Sequence, residues 1–284
     1  MPDFPIVDTH VHLYDPAAIR YPWMDEAPLL NARHASEEYS SAITPVSVDK
    51  LVFVEVDAGP GEHLKEARWV EALAKTDPRI SAIVASMPVE IGAAVEGDIR
   101  IFASMPLARG VRRLIQGHVA EPGWCLRPAF IDGVKLVGKH GLSFEICILH
   151  PQLVDAIELV RRCPDVRFVL DHLGKPGIKA GLTEPWRSEM RALAALPNVV
   201  CKVSGAVTEA DHAAWTYDQV APYIVPAIDI FGFDRVMFGG DWPVMNLATR
   251  YPDWVAVTDR VLSGASERER RSFYRDTALR HYRI

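Results

Sequence analysis

The sequence predicts an α/β protein with the architecture of a (β/α)8 TIM barrel, in a single domain that spans residues 1–284. Eight short apolar runs, each typical of a strand buried on both faces, recur at intervals of about 25 to 45 residues. Segments with helical periodicity lie between several of these runs, as parallel strands require. The alternative is an open doubly wound sheet, which normally carries a glycine-rich phosphate turn after its first strand. No such turn follows the first run, so a barrel is expected.

The apolar runs predict the strands in chain order. The first is Ile6-Val7-Asp8, and a weaker strand is expected around Gly110-Val111-Arg112. The other six lie at 51–54, 80–84, 142–147, 166–170, 199–203 and 236–238. Because these runs are nearly continuous in apolar residues, each strand should be covered by helices on one face and by the barrel interior on the other.

Helical periodicity predicts helices over 62–75, 152–162 and 186–196. A proline follows each of them closely, and proline cannot continue a helix. A last helix is predicted to begin at Ser266, because Ser266-Glu267-Arg268-Glu269 matches a capping box. These segments supply connections of the length that neighbouring parallel strands need.

The composition limits the class of partner. The chain has a formal net charge of -6, and it lacks the long basic run that a nucleic-acid surface would show. No segment approaches the apolar length of a membrane span, and the N-terminus lacks the features of a secretory leader. We therefore expect a cytoplasmic protein that acts on a small molecule. The four cysteines lack CxxC spacing and are expected to be buried thiols. The composition leaves open whether the chain forms a homo-oligomer.

The first and last predicted strands both end in residues of the kind that bind metals. His10 and His12 follow the first run, and side chains two apart on a strand share a face. The two imidazoles could therefore share a divalent metal or one substrate oxygen, although two solvated loop histidines are the alternative. The last run leads through two glycines to Asp241, which could serve chemistry or cap the segment that follows it.

Two further candidates follow the sixth predicted strand, at the rim where barrel active sites lie. His172 is expected at the barrel mouth beside His10 and His12, unless it is a core histidine bonded to a backbone carbonyl. Asp171 comes one residue earlier, so by alternation it is expected to face the helices. There it would orient another group or cap a helix.

The middle of the chain offers charged residues whose direction the sequence leaves open. Glu145 lies within a strand, either inside the barrel with a charge partner or metal, or outside it with a Lys or Arg. His150 follows in the next loop, where a histidine is solvated about as often as it is functional. Arg112 and Arg113 alternate, so only one can point inward, toward a carboxylate, carbonyl or polyol oxygen.

Three motifs in this order resemble the amidohydrolase superfamily: His10-x-His12, Asp171-His172-Leu173-Gly174-Lys175-Pro176, and Gly239-Gly240-Asp241-Trp242-Pro243. The likeness spans essentially the whole chain. Within the superfamily, the chain is similar to the sugar-acid lactonases of the L-fuconolactonase and L-rhamnonolactonase type. The resemblance implies that Asp241 activates a water, that His10 and His12 polarise the carbonyl, and that His172 is the histidine of strand six.

The resemblance also bears on metal. Many relatives hold two metals with a carbamylated lysine on strand four, where this chain has arginines. The resemblance therefore implies one divalent ion, such as zinc, with ligands drawn from His10, His12, Glu145 and Asp241. Some relatives, such as the pyrone-dicarboxylate lactonases, are thought to work without metal, so a metal-independent reaction stays open.

These observations predict the hydrolysis of a sugar-acid lactone such as L-fuconolactone. The catalytic candidates are Asp241, His172, His10 and His12. The substrate-binding candidates are Arg112, Arg113, Gln116, His150 and Trp242. The enzyme alternatives are a pyrone-dicarboxylate lactonase and a metal-dependent decarboxylase, which would need convergent cationic residues. The non-enzyme alternative is a sugar- or metal-binding barrel, in which the acid at position 241 would be expected to be missing.

Overall fold

Eight parallel strands form one sheet, in chain order, in the computed structural model of residues 1–284. They are β1 (Ile6–Val11), β2 (Val48–Val54), β3 (Ile80–Ser86), β4 (Ala108–Leu114), β5 (Ser143–Cys147), β6 (Arg167–Leu170), β7 (Val199–Val203) and β8 (Val236–Phe238). The two edges meet at a parallel bridge between Val11 and Trp242. There His12 N–H donates to Trp242 O, and Asp241 N–H donates to His10 O, both at 2.8 Å. The sheet closes, which confirms the predicted barrel.

Helices connect the strands and surround them. They are α1 (Ser36–Ile43), α2 (His63–Leu73), α3 (Glu96–Ala103), α4 (Pro128–Lys139), α5 (Leu153–Arg162), α6 (Trp186–Ala194), α7 (Tyr217–Phe231), α8 (Tyr251–Val261), α9 (Glu267–Arg271) and α10 (Thr277–Tyr282). A π-helical turn at Ser272–Asp276 joins the last two. None of the helices is both long and apolar enough to cross a bilayer.

The helices predicted from periodicity are confirmed as α2, α5 and α6, each ending a few residues before the proline that follows it. The predicted capping box is also present. Ser266 N–H donates to Glu269 Oε2 at 2.8 Å, and Ser266 Oγ accepts from Glu269 N–H at 3.4 Å. Local periodicity does not single out the other crossover helices. In α7, Pro222 and Pro226 lie inside the helix, where proline argues against the assignment.

Apolar side chains pack in two separate regions. A large cluster lies between the strands and the surrounding helices. A smaller cluster fills the lower barrel interior and consists of Val7, Val52, Val54, Ala82, Val84, Val169, Met237, Ala278 and Tyr282. Since Ala278 and Tyr282 belong to α10, the C-terminal helix closes the bottom of the barrel. Polar chemistry is thereby confined to the opposite end, where the strands terminate.

An irregularity in β1 aims His10 into the barrel. Asp8 pairs with Leu51 and Val11 pairs with Phe53, so β1 advances three residues while β2 advances two. An extra residue of this kind shifts the alternation of side chains along the strand. His10 consequently faces the barrel interior, where it contacts side chains from other strands.

Candidate active site

A cavity of about 320 Å³ opens at the carboxyl ends of the strands, and we call it the inner cavity. His12, His172 and Asp241 are among its lining residues. Asp241 Oδ1 lies 3.5 Å from His12 Nε2 and 3.8 Å from His10 Nε2. The rings of His10 and His172 are 4.4 Å apart between centroids. The structure thus brings the four candidate catalytic residues together from the ends of β1, β6 and β8.

His12 presents a lone pair to Asp241. Its Nδ1 lies 2.9 Å from Val54 O, and a carbonyl oxygen can only accept, so Nδ1 carries the hydrogen. In the neutral ring Nε2 is then an acceptor, and it faces a carboxylate oxygen that also only accepts. Two such acceptors side by side need a proton, a water or a cation between them. This arrangement is typical of histidines that bind metals or activated water.

Left-handed backbone places the two other residues at the cavity. His172 has φ +52° and Asp241 has φ +60°, in a region that non-glycine residues rarely adopt. Such conformations cost about 1–3 kcal/mol each and persist where the surrounding structure holds them, often at functional sites. The His172 ring is held by close packing, because it lies against Gly205, where a Cβ would come within 2.6 Å of the ring.

The prediction that Asp171 faces the helices is wrong. Its carboxylate points into the barrel, with Oδ1 3.3 Å from Lys202 Nζ and Oδ2 3.4 Å from Arg112 Nη1. Asp171 continues the alternation of β6, because it lies two residues after Val169, which also faces the barrel interior. His172 reaches the cavity because the chain turns left-handed directly after Asp171.

Beneath the inner cavity lies a buried charged layer, formed by Glu55, Arg112, Glu145, Asp171 and Lys202. Arg112 Nε donates to Glu55 Oε1 at 2.6 Å, and Lys202 Nζ donates to Glu145 Oε2 at 2.5 Å. Together with the contacts of Asp171, these pairs connect β2, β4, β5, β6 and β7 across the barrel. Each charge of the layer has a partner of opposite sign, as burial in a low dielectric requires.

His10 lies at the floor of the site rather than on its wall. It is fully buried and is absent from the lining of the inner cavity. Its Nε2 is 3.3 Å from Arg112 Nη1, and its Nδ1 is 3.4 Å from Lys202 Nζ and 3.5 Å from Asp171 Oδ1. Burial, together with Lys202, holds the pKa of His10 well below its usual value, so the ring is neutral.

The charges of the site fix its protonation states. Burial lowers the pKa of His172 to about 4, although Asp241 and Asp171 oppose the shift, so its imidazole is neutral near pH 7. Burial alone would raise the pKa of Asp241, but His172 and His12 outweigh it and hold this pKa below its usual value. Asp241 is therefore an anion at the cavity, ready to accept a hydrogen bond from water.

Glu145 lies inside the barrel, which is one of the two positions that the sequence left open. Lys202 and the Tyr282 hydroxyl each lie 2.5 Å from one of its oxygens. Burial raises its pKa to about 7, with Lys202 opposing the shift and Asp171 adding to it. Both oxygens are thus engaged, and Glu145 groups with His10 and Asp171 rather than with Asp241. Its predicted role as a metal ligand does not follow from this geometry.

The candidate substrate-binding residues divide into two groups. Arg112 and Gln116 line the inner cavity. Arg113 points away from it and pairs with Glu90 in two hydrogen bonds of 3.0 and 2.6 Å, because neighbouring strand residues face opposite sides. His150 begins the short turn His150–Gln152 and lies outside the lining.

Trp242 also lies outside the lining, because it is packed inward. It is 2% exposed, and its indole contacts the rings of His34 and Tyr39 at centroid distances of 5.3 Å. Trp23, another tryptophan in a loop, lines the inner cavity instead. Aromatic surface at the inner cavity thus comes from Trp23 and Tyr14 rather than from Trp242.

Sequence reasoning assigned no role to Lys175, which lines the inner cavity. Its nearest anionic partner, Glu209 Oε1, is 3.8 Å from Nζ, so the ammonium keeps donors for a ligand. Lys175 has φ +47° and ends the left-handed turn that begins at His172. Its position four residues after Asp171, in a segment that follows a strand, is the sequence signal that could have identified it.

Three ligand atoms of the site could hold one metal ion. Donor atoms of His10, His172 and Asp241 all lie within 4.8 Å of one another and are buried. Two imidazoles and a carboxylate are the donor set that zinc accepts in catalytic sites. Together with the facing acceptors on His12 and Asp241, this set fits a divalent cation.

Comparison with known proteins agrees with this geometry. A profile of the amidohydrolase family (Amidohydro_2) matches residues 7–284. An L-fucono-1,5-lactonase of Burkholderia multivorans is 28% identical over 288 residues, covering 98% of this chain and 96% of its own. An L-fucono-1,5-lactonase of Burkholderia ambifaria is 33% identical over 192 residues, covering 68% of this chain and 65% of its own.

A solved structure extends the likeness to the whole fold. An amidohydrolase from Burkholderia multivorans with bound zinc superposes with a TM-score of 0.86 at 27% identity, covering 99% of this chain and 100% of that one. The closure of the barrel between β1 and β8 brings His12 to Asp241. The residues that the family profile matches include both. The chain belongs to the amidohydrolase family.

Proposed function

We propose that the protein hydrolyses a lactone, and that its substrates are sugar-acid lactones of the L-fuconolactone type. The observation that carries the proposal is the Asp241 carboxylate, which lines the inner cavity, lies 3.5 Å from His12 Nε2 and has a His172 nitrogen within 4.8 Å. An ionised carboxylate that lines a cavity of this size can accept a proton from a water that attacks a bound carbonyl. The relatives named as L-fucono-1,5-lactonases support the substrate class.

The residues on the cavity wall can carry out each step. A water hydrogen-bonded to Asp241 attacks the lactone carbonyl and gives its proton to the carboxylate. The tetrahedral oxyanion forms beside His172 and the Lys175 ammonium, which supply a dipole and positive charge. Collapse of this intermediate breaks the bond to the ring oxygen. Asp241 then returns its proton to the leaving alkoxide, so the free hydroxy acid is released and the site is restored.

A divalent ion such as zinc would be held by Asp241, His172 and His10, with His12 beside it. When bound, it would polarise the carbonyl and acidify the attacking water, which complements a carboxylate whose own basicity is weak. Asp241 is weakly basic because the surrounding histidines favour its ionised form. The residues themselves orient the water and exclude bulk solvent from the buried cluster.

We expect at most one tightly held ion per chain. The neighbouring carboxylates are already offset by cations, because Glu145 is engaged by Lys202 and Tyr282, and Asp171 faces Lys202 and Arg112. Elemental analysis of protein dialysed against zinc should give about one equivalent, and Asp241→Ala should reduce it. Two ions about 3.5 to 4 Å apart in a zinc-soaked crystal would contradict the expectation.

We also expect six-carbon aldonolactones, including L-fuconolactone, to be hydrolysed faster than pyrone dicarboxylates. Only Arg112 and Lys175 bring formal positive charge to the inner cavity, and Arg112 is committed to Glu55 and Asp171. Two substrate carboxylates would therefore lack partners. The measurement is kcat/KM for both classes, which reports differential transition-state binding. A tenfold preference for the dicarboxylate, about 1.4 kcal/mol, would overturn the sugar-lactone proposal.

A further inference from the structure

A second cavity, which we call the annex, opens beside the inner cavity. Its volume is about 750 Å³, against about 320 Å³ for the inner cavity. The two have four lining residues in common, Trp23, Asp57, Leu114 and Gln116. A ligand whose carbonyl lies near Asp241 can therefore extend directly into the annex.

We propose that the annex binds a neutral glycosyl unit attached to the lactone, so that the substrates include disaccharide aldonolactones. This inference rests on the proposed lactone hydrolysis. Seven of the 16 residues that line the annex carry polar or charged side chains: Asp57, His63, Ser86, Glu90, Arg113, Gln116 and His118. An apolar substituent would leave these polar groups without partners, which costs free energy.

The charged groups of the annex suit hydroxyls. Arg113 and Glu90 form a bidentate pair, with side chains 24% and 28% exposed, so each keeps hydrogen-bonding capacity toward the cavity. Asp57 adds a second carboxylate. A sugar hydroxyl can donate to a carboxylate and accept from a guanidinium at the same time. Arg113, which the sequence offered as a substrate-binding residue, thus acts in the annex.

The same charges exclude an anionic substituent. Two carboxylates, from Glu90 and Asp57, face the annex against one arginine that is already paired. Its two histidines are engaged as well, His63 with Asp98 and His118 with Glu121. A carboxylate or phosphate entering the annex would meet negative charge without a free cation to offset it.

The junction between the cavities carries a fixed aromatic ring. The Trp23 indole N–H donates to Val56 O at 2.8 Å, which holds the ring in place. Trp23 lines both cavities, so its ring offers a rigid apolar surface to a sugar at the point where the ligand passes from one to the other. Gln116, also shared, adds amide donors and acceptors there.

Gly117 provides a way to fill the annex alone. It lines the annex but not the inner cavity, and a Cβ there would meet no atom within 4 Å. Gly117→Phe therefore places a ring in open space. Gly97 in α3 has the same freedom and lines neither cavity, so Gly97→Phe is the matched control.

The test compares two lactones that share one ring and differ by a galactosyl unit, lactobiono-1,5-lactone and D-glucono-1,5-lactone, with the spontaneous rate subtracted. We expect kcat/KM to be at least tenfold higher for the disaccharide in the wild-type protein. That ratio should fall at least tenfold in Gly117→Phe and stay constant in Gly97→Phe. Calorimetric binding of lactitol and sorbitol, which do not react, reports the annex independently of turnover, and lactitol should bind at least tenfold more tightly.

The outcomes separate the two proposals. Equal kcat/KM on both lactones, with lactitol binding no more tightly than sorbitol, would overturn the annex assignment and leave lactone hydrolysis intact. Absence of turnover on every lactone, with tight lactitol binding that Gly117→Phe abolishes, would overturn the reaction and leave the annex assigned. A ratio that Gly117→Phe does not change would place the glycosyl unit elsewhere.

Discussion

Replacing Asp241 with asparagine should lower kcat by about 10²- to 10⁴-fold, the range expected when a general base is lost. The amide is nearly isosteric with the carboxylate but cannot accept a proton from water. Because Asp241 also faces His12, the change removes the only anion in contact with that ring at the cavity. Steady-state kinetics on L-fuconolactone give the loss, and circular dichroism should show an unchanged fold.

Asp132→Asn, the same substitution at an exposed position on α4, is the control and should retain wild-type turnover. A folded Asp241→Asn protein with wild-type kcat would place the base elsewhere. His172 would then be the next candidate, because it lines the same cavity and its neutral ring can accept a proton.

Replacing Lys202 with methionine should destabilise the fold by about 3–5 kcal/mol, the cost of removing one partner from a buried ion pair. Lys202 is fully buried and contacts both Glu145 and Asp171, so its loss leaves two carboxylates close together in the barrel interior. Urea unfolding measures the effect. Lys139→Met, which removes an exposed pair with Glu96, should leave the free energy of unfolding nearly unchanged.

The stability of the Lys202→Met variant should also depend more steeply on pH than that of the wild-type protein. Without Lys202, the folded-state pKa of Glu145 should rise further, since burial and Asp171 already raise it and Lys202 is what opposes them. The native state then binds more protons than the unfolded state, so stability falls as pH rises. The deficit should be larger at pH 8 than at pH 6. A loss below about 1 kcal/mol at both values would mean that the charged layer tolerates an unpaired carboxylate.

The strands were predictable because parallel barrel strands are buried on both faces and leave continuous apolar runs. Those at 199–203 and 236–238 coincide with β7 and β8 as observed. The candidate catalytic residues were predictable because barrel sites collect at strand ends. Helix α7 was harder to predict from the sequence, because prolines in its interior argue against a helix. Its helical conformation depends on packing against the barrel.

The pairing of charges was not predictable from local patterns. Glu145 meets Lys202 across 57 residues and Tyr282 across 137, so no short-range periodicity reports either contact. The inward direction of Asp171 could not be predicted, because the left-handed turn at His172 brings two consecutive residues to the site and breaks the strand alternation. His10 faces inward only because of the irregularity in β1, and no residue of that strand predicts this irregularity.

The seam between β1 and β8 has a consequence for biosynthesis. His10 and Asp241 are hydrogen-bonded through their backbones, yet 230 residues of chain lie between them. A ribosome-bound chain cannot assemble the site until its last strand has left the exit tunnel, even if earlier βα units have already condensed. Catalytic activity therefore reports completion of the fold, and a circular permutant opened between β4 and β5 should join the two halves of the site earlier in synthesis.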